Sequence, residues 1–381
     1  MTSSIVSVAP VLPDHKYAQD EITEMFAGLV LPDAEQSLLR QLHRSAGVEH
    51  RYLALPLDRY PRLTSFREAN DVFISVGLDL AERAVRDALA QAGLAPSDVD
   101  LLLVTSVTGV AAPSLDARLV GRLGLRPDVK RIPVFGLGCV AGAAGIARLH
   151  DYLRGDPDGV AVLVSVELCS LTLQRDDAST ANLVASGLFG DGACAVVMAG
   201  RDRAASLDGG PAAPSVVATR SRLYPDTDRV MGWDVGATGF RIVLAASVAD
   251  VVRQHLEKDV AGFLGDHGLG IGSVQRWVSH PGGPKVLEAV QESLSLPPDA
   301  LRHAWESLRS VGNLSSSSVL HVLAATLQDD APPPGAHGVL LAMGPGFCAE
   351  LVLLRWPGDE VADLPPKAGG TPSRTARTVA A

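Results

Sequence analysis

Short, almost wholly apolar runs recur along this chain and alternate with longer amphipathic stretches. Strands that helices cover on both faces have few polar positions, whereas surface helices repeat their apolar residues every three or four positions. The alternation therefore predicts an α/β fold with buried sheets. The predicted strands are 101–106, 131–135, 160–166, 193–198, 274–280, 338–343 and 349–354, and the predicted helices are 71–92, 141–154, 248–264, 284–294 and 316–327.

Two domain-sized halves fit into the 381 residues of the chain. The segment 200–213 is rich in Gly, Ala and charged residues and has few large apolar ones, which is typical of an exposed connection. We therefore predict an N-terminal half at 1–205 and a C-terminal half at 206–360. Residues 361–381 are too poor in large apolar side chains to form a core, and we expect a disordered tail there.

The composition argues against several classes of protein. A net charge of −10, without a segment rich in Lys and Arg, argues against nucleic-acid binding. The four cysteines have no CxxC pair and no metal-like spacing, which favours free thiols in a reducing compartment and predicts no metal site. No run of about 18 uncharged apolar residues occurs, and the first residues lack a signal-peptide pattern. We expect a cytoplasmic protein without a membrane span.

Cys139 is the cysteine whose surroundings best fit a nucleophile. It follows an apolar strand and two glycines, Gly136 and Gly138, which permit a sharp turn, and a helix of small residues begins after it. The positive end of the helix dipole and a nearby protonated His would both lower the pKa of the thiol. Backbone N–H groups of the turn could hold an oxyanion. A buried structural cysteine fits the local sequence as well, and this is the role predicted for Cys169 and Cys194.

His280 and Asn313 are the candidate partners of this thiol. His280 ends an apolar strand and precedes a Pro-Gly-Gly-Pro loop, and strand ends are where ligands bind in α/β folds. Asn313 follows Gly312 and comes just before a helical stretch. Each has an ordinary alternative role, since a buried histidine often only packs and an asparagine often caps a helix or forms a turn.

Taken together, the segments around these three residues resemble the type III polyketide synthases, the chalcone-synthase-like family. The resemblance extends from about Val6 to Trp356. It is carried by ordered motifs, which are Gly136-Leu-Gly-Cys-Val-Ala-Gly, Leu188-Phe-Gly-Asp-Gly-Ala, His280-Pro-Gly-Gly-Pro, Gly312-Asn-Leu-Ser-Ser and Gly344-Pro-Gly, with Leu123-Gly-Leu-Arg-Pro-Asp-Val-Lys-Arg before the cysteine strand.

The resemblance implies a thiolase-like five-layer αβαβα fold made of two similar halves. It also implies a homodimer that uses acyl-CoA and malonyl-CoA and needs no further cofactor. The family's catalytic Cys, His and Asn fall on Cys139, His280 and Asn313, and its gatekeeping Phe falls on Phe189. The second gatekeeping Phe is absent, with Ile242 at or near its position. Other implied residues are Val107, Thr108, Cys169 and Gly346 in the pocket, and Arg40, His43, Arg44 and Arg51 at the CoA phosphates.

The product is predicted from a few pocket positions. Val107 and Cys169 stand where plant enzymes have hydroxyl residues, and Val107 also differs from the cysteine expected in bacterial tetrahydroxynaphthalene synthases. With Ile242 they make an apolar site, in which each buried methylene of an acyl chain contributes about 0.8 kcal/mol. The sequence from Met231 to Gly236 also resembles the bacterial alkylpyrone enzymes. We therefore predict a medium- or long-chain acyl-CoA starter and alkylpyrone or alkylresorcinol products.

Other functions remain open at this point. A tetrahydroxynaphthalene-type synthase would use malonyl-CoA only, and a ketoacyl-carrier-protein synthase of the third type would share Cys, His and Asn. A thiolase needs a second catalytic cysteine, for which Cys348 is the late candidate. A cysteine hydrolase has the same Cys, His, Asn order, and a non-catalytic relative would retain the fold but lose the reactivity of the thiol.

Overall fold

The computed structural model describes residues 2–32, 36–207, 214–329 and 332–358. The predicted tail at 361–381 and part of the predicted connection, 208–213, lie outside these residues. The strands are β1 (Ser3–Val11), β2 (His15–Ala18), β3 (His50–Leu53), β4 (Leu101–Ser106), β5 (Lys130–Phe135), β6 (Val160–Leu168), β7 (Asp191–Gly200), β8 (Ser215–Leu223), β9 (Met231–Gly236), β10 (Gly239–Leu244), β11 (Val274–Ser279), β12 (His337–Gly344) and β13 (Cys348–Arg355). The helices are α1 (Gln19–Val30), α2 (Gln36–Ser45), α3 (Phe66–Ala92), α4 (Leu115–Leu123), α5 (Ala141–Gly155), α6 (Thr180–Leu188), α7 (Arg201–Ser206), α8 (Val248–Gly265), α9 (Pro284–Ser293), α10 (Arg302–Val311) and α11 (Ser318–Leu327).

The main sheet has the strand order β11-β12-β13-β8-β1-β7-β6-β4-β5 in the described part of the chain. From β1 through β7 and β6 to β4, the pairings are antiparallel, antiparallel and parallel. The series from β8 through β13 and β12 to β11 has the same three pairings. The two series are joined by a short antiparallel contact of β1 with β8. This repetition confirms the predicted α/β fold with two similar halves, while the boundary at 205/206 stays a prediction.

Helices lie on both faces of the sheet and between its two halves. α5 contacts β6 of the first half and β13 of the second, and α11 contacts β1 and β11, so these two helices form the central layer. α3 packs against β1, β6 and β7 on the other side of the first half. α8 and α9 pack against each other and belong to the apolar core of the second half. This arrangement brings the N-terminal ends of the central helices, and the loops before them, close together.

The predicted elements agree with the structure to within a few residues, except at the start of α3. The helix was expected from residue 71 but begins at Phe66, because the Ser65 side chain caps it by accepting a hydrogen bond from the N–H of Glu68 at 3.3 Å. It ends as predicted at Ala92, where Gly93 takes a left-handed conformation with φ of 65°. Within the described ranges, no helix is long and apolar enough to cross a membrane.

Candidate active site

Cys139 lies in a tight turn between β5 and α5. Residues Gly138–Val140 form a short 3-10 turn, and α5 begins at the next residue. Gly138 has φ of +55°, and a Cβ atom on it would come within 2.7 Å of the ring of Pro345. Only glycine fits this position, as the sequence predicts. The Cys139 side chain is buried, with its Sγ 3.8 Å from the Oγ of Ser315.

His280 directly follows β11 and has a buried imidazole ring. Its backbone N–H donates to the carbonyl of Leu341 at 2.9 Å, which continues the pairing of β11 with β12. The residue is 4% exposed, and among the described residues neither Nδ1 nor Nε2 has a hydrogen-bond partner. Buried polar atoms are nearly always partnered in proteins, so both ring nitrogens are available to a substrate or a reacting group.

Asn313 is held by its backbone and by its side-chain oxygen. Its N–H donates to the carbonyl of Leu188 and its own carbonyl accepts from the N–H of Gly190, both at 2.9 Å. Oδ1 accepts from the N–H of Ser315 at 2.8 Å. The Nδ2 group therefore points the other way, and its contact with the carbonyl of Gly282 is long, at 3.4 Å. The amide is oriented so that Nδ2 can donate to a ligand.

These three side chains line the same cavity. Its empty volume, which includes space open to solvent, is about 620 Å³. Apart from these three and Ser315, the side chains in the lining are almost all apolar, and they are Leu188, Phe189, Met231, Trp233, Ile242, Leu244, Val248, Val286, Met343, Pro345 and Phe347. A thiol, an imidazole and a carboxamide in an otherwise apolar cavity are suited to chemistry on an acyl group that must be protected from water.

Two protein-family models match this chain. One describes the N-terminal domain of chalcone and stilbene synthases and matches residues 2–202, and the other describes their C-terminal domain and matches 215–356. The chain belongs to this family. The 1,3,6,8-tetrahydroxynaphthalene synthase of Streptomyces peucetius subsp. caesius is 58% identical over 93% of both chains. The phloroglucinol synthase of Pseudomonas fluorescens is 31% identical over 91% of this chain and 97% of its own.

Solved structures give the same assignment. The type III polyketide synthase that makes 1,3,6,8-tetrahydroxynaphthalene in Streptomyces coelicolor A3(2) superposes with a TM-score of 0.86. It is 29% identical, and the match covers 93% of this chain and 99% of the other. The protein is therefore a type III polyketide synthase, an acyl-transferring condensing enzyme with the thiolase-like fold that the sequence predicts. The hydrolase and thiolase interpretations are excluded, and Cys348 is not among the described residues that line the Cys139 cavity.

Burial acts on the two reactive groups of this synthase in opposite ways. Loss of hydration raises the pKa of the Cys139 thiol to about 12, and it lowers the pKa of His280 to about 3. The sequence predicts a lowered thiol pKa from the helix dipole and a protonated His, whereas burial shifts the pKa of each group toward its neutral form. The resting pair consists of a neutral thiol and a neutral imidazole.

A buried carboxyl group behind Cys139 is a feature that the sequence analysis missed. Glu167, in β6, accepts hydrogen bonds from the N–H of Val107 at 3.1 Å, from Oγ1 of Thr108 at 2.9 Å and from Oγ of Ser315 at 3.3 Å. Because Ser315 also contacts Cys139, the carboxyl group is one residue away from the thiol. A single charged residue in a largely apolar strand was the available signal, because a buried charged group needs hydrogen-bond partners around it.

The predicted pocket residues of this synthase lie at three different places. Phe189 and Ile242 line the Cys139 cavity. Val107 and Gly346 line a neighbouring cavity that shares Met231 and Trp233 with the first. Cys169 lines a third one. Thr108 is buried with its hydroxyl hydrogen-bonded to Glu167 and to the N–H of Leu168, so it supports the wall rather than facing a cavity.

The four residues predicted to meet CoA phosphates fall into two pairs. Arg40 and Arg44 lie on α2 towards the surface, where Arg40 pairs with Glu24, and their role stays a prediction. His43 and Arg51 are buried, at 1% and 0% exposure. The ring of His43 bonds to the hydroxyl groups of Thr23 and Ser186. A phosphate in solvent cannot reach either residue, so the structure does not fit the predicted role of this second pair.

Proposed function

We propose that this synthase converts malonyl-CoA alone into 1,3,6,8-tetrahydroxynaphthalene. The observation that carries the proposal is the 58% identity to the Streptomyces peucetius synthase of that name over 93% of both chains. The first product prediction, an alkylpyrone from a fatty acyl starter, depended on a few apolar pocket positions. Similarity along the whole chain is the stronger argument, and it favours the alternative that the sequence analysis left open.

Cys139 loads the starter in the proposed mechanism. Its Sγ attacks the thioester carbonyl of the acyl-CoA, the thiol proton passes to a free ring nitrogen of His280, and CoA leaves with that proton. No hydrogen bond joins Sγ to the ring among the described residues. Catalytic contacts are often long in empty sites and shorten when substrate binds. The acyl group is then held as a thioester on Cys139.

His280 and Asn313 stabilise the enolate of the extender unit. A malonyl group loses CO₂ at the second step, and the electron pair of the broken bond is delocalised onto the thioester oxygen. An N–H of the neutral imidazole and Nδ2 of Asn313 donate to this oxygen, and each such donor contributes about 3 kcal/mol. The apolar side chain of Phe189 favours loss of the charged carboxylate as CO₂. The enolate carbon attacks the Cys139 thioester and Sγ leaves, so the lengthened chain is now a thioester of the extender's CoA. The loading step returns this chain to Cys139, and the cycle repeats before ring closure.

We further propose that the synthase is a homodimer that associates through the β5 edge. Among the strands of the described ranges, β5 pairs only with β4, and most of its residues are exposed. Large apolar side chains are exposed on this strand and next to it, at Ile132, Phe135 and Leu137. An unpaired edge strand with exposed apolar residues is a site where another chain binds. Light scattering is expected to give twice the chain mass, and a monomer would contradict the proposal.

The cytoplasmic location stays a prediction.

The product is tested by supplying malonyl-CoA with no other substrate and without a carrier protein. We expect mass spectrometry to detect tetrahydroxynaphthalene or its oxidation product, and the Cys139→Ala variant is the matched control. Parallel reactions contain acyl-CoAs of graded chain length. Absence of product from malonyl-CoA alone, together with alkylpyrones from long acyl-CoAs, would restore the first product prediction. A requirement for carrier protein would instead indicate the ketoacyl-carrier-protein synthase alternative.

A further inference from the structure

A second cavity lies next to the one that contains Cys139. Its walls include Arg51, Cys169 and Ser170. Phe189, Trp233 and Ile242 line both cavities, so the two spaces share part of their walls. An acyl chain on Cys139 that passed these side chains would enter the cavity that Arg51 lines.

The guanidinium of Arg51 has donors that the protein does not use. Its Nε–H donates to Oε1 of Gln19 at 2.9 Å. Nη1 donates to the carbonyls of Ser186 and Phe189 at 2.7 and 2.8 Å, which accounts for both of its hydrogens. Nη2 has no hydrogen-bond partner among the described residues, although Arg51 is fully buried. An arginine has five N–H donors, so the two on Nη2 remain available to the cavity that Arg51 lines.

The positive charge of Arg51 also lacks a close carboxylate. Within the described part of the chain, no Asp or Glu oxygen lies within the 4.0 Å of an ion pair with Arg51. Asp191 is the nearest acidic influence, but its oxygens accept hydrogen bonds from the N–H of Ala54 and from the N–H and hydroxyl of Ser170. A buried cation that is only partly compensated costs several kcal/mol, and an anionic or polar ligand would offset that cost.

We propose that Arg51 binds an oxygen at the distal end of the acyl chain held on Cys139, and thereby favours chains with an oxygen at that end over alkyl chains. The inference rests on the proposed use of malonyl-CoA as the only substrate, because such chains carry oxygen along their whole length. The ligand chemistry is a carboxylate or ketone oxygen that accepts the N–H groups of Nη2. A carboxylate would come from a malonyl starter, and a ketone from the growing poly-β-keto chain.

The experiment measures how fast three acyl groups load onto Cys139. Intact-protein mass spectrometry follows loading from succinyl-CoA, acetoacetyl-CoA and pentanoyl-CoA, which end in a carboxylate, a ketone and an alkyl group. We expect kcat/KM for loading to be about tenfold or more higher for an oxygen-ended chain than for pentanoyl, the range for a charge-assisted hydrogen bond in a buried site. Preference for succinyl identifies the carboxylate as the ligand, and preference for acetoacetyl identifies the ketone.

Arg51→Lys tests whether Arg51 causes the preference. The ammonium group can still donate to the carbonyls of Ser186 and Phe189, but it lacks the second arm of the guanidinium. We expect the preference, measured as the ratio of the loading rates within the variant, to fall to about twofold or less. Gln19→Leu is the matched control, since it removes the Nε bond but retains Nη2, and it should change all three rates by the same factor.

Equal loading of the three probes by the wild-type protein would overturn the inference, whether or not Arg51→Lys folds. A preference that survives in a folded Arg51→Lys variant would also overturn it and leave Arg51 with a purely structural role. Loading is measured before any product forms, so these outcomes do not depend on the product. Failure of the proposed function would appear separately, as lack of tetrahydroxynaphthalene from malonyl-CoA.

Discussion

Replacement of His280 with glutamine separates the effect of burial on Cys139 from the effect of the imidazole beside it. Burial raises the pKa of the thiol to about 12. The thiolate fraction falls tenfold for each pH unit below the pKa, so the thiolate is a small minority at pH 7 when no proton acceptor is present. Glutamine cannot accept the proton, so the Cys139 thiol of the variant should ionise with the raised pKa that burial produces.

The imidazole gives the wild-type protein a different pH dependence. Transfer of the proton from Sγ to His280 converts a neutral pair into a thiolate and an imidazolium, with no net uptake or release of protons. Its equilibrium is therefore independent of pH between the two ionisations of the pair. Alkylation by iodoacetamide, which requires the thiolate, should be nearly constant in the wild-type protein from pH 6 to 9.

The assay is the initial rate of alkylation of Cys139, measured by mass spectrometry of the intact protein and of its peptides. In His280→Gln the rate should rise about tenfold per pH unit, and at pH 7 it should fall below the wild-type rate. His321→Gln is the matched control, because His321 lies outside the cavity and bonds to the carbonyl of Ala193. A tenfold rise per pH unit in the wild-type protein as well would refute the reasoning, since the imidazole would then not accept the proton.

Three further predictions concern the same site. Cys139→Ala should abolish condensation while slow release of CO₂ from malonyl-CoA persists, and condensation at the wild-type rate would reject the covalent scheme. Asn313→Ala should slow CO₂ release about 100-fold or more but change starter loading only a few-fold, because its amide donates to the enolate; equal losses in both half-reactions would count against this role. Gly138→Ala should lower the melting temperature and the alkylation rate of Cys139, because a left-handed non-glycine residue costs about 1–2 kcal/mol and its Cβ would lie 2.7 Å from the ring of Pro345. Unchanged melting and alkylation would show that the turn tolerates a side chain.

The sequence predicts the fold well where local pattern and tertiary burial agree. β4, β6 and β7 are fully buried and were predicted from their apolar runs. β1 was not predicted, although it lies near the middle of the main sheet. Its run contains Ser3 and Ser7, which are buried because they bond to the ring of His150 and to the carbonyl of Ala88. A local sequence pattern does not show such long-range partners. The two serines therefore made the run look too polar for a central strand.

The residues of the candidate site also divide into those with a local sequence signal and those whose burial depends on long-range contacts. Cys139, His280 and Asn313 belong to segments with strong local signals, and the structure places all three in one cavity. The basic residues near the N-terminus have no such signal, because an arginine in a short strand could face either solvent or the core. Arg51 belongs to β3, where it is fully buried, and its partners Ser186 and Phe189 are more than a hundred residues away along the chain. Its burial therefore depends on contacts that form only when the fold is complete.

The same limitation explains why the first product prediction pointed to an alkyl chain. Apolar positions such as Val107 and Ile242 were interpreted as space for hydrocarbon, and the lining around Cys139 is indeed largely apolar. Apolar walls protect a poly-β-keto chain from water as well as they solvate an alkyl chain, so this lining does not distinguish the two substrates. Discrimination requires a polar group that one chain satisfies and the other leaves unpaired. Arg51, which lines the adjoining cavity once the chain has folded, is such a group, and the unpaired donors on its Nη2 would penalise an alkyl end and favour an oxygen.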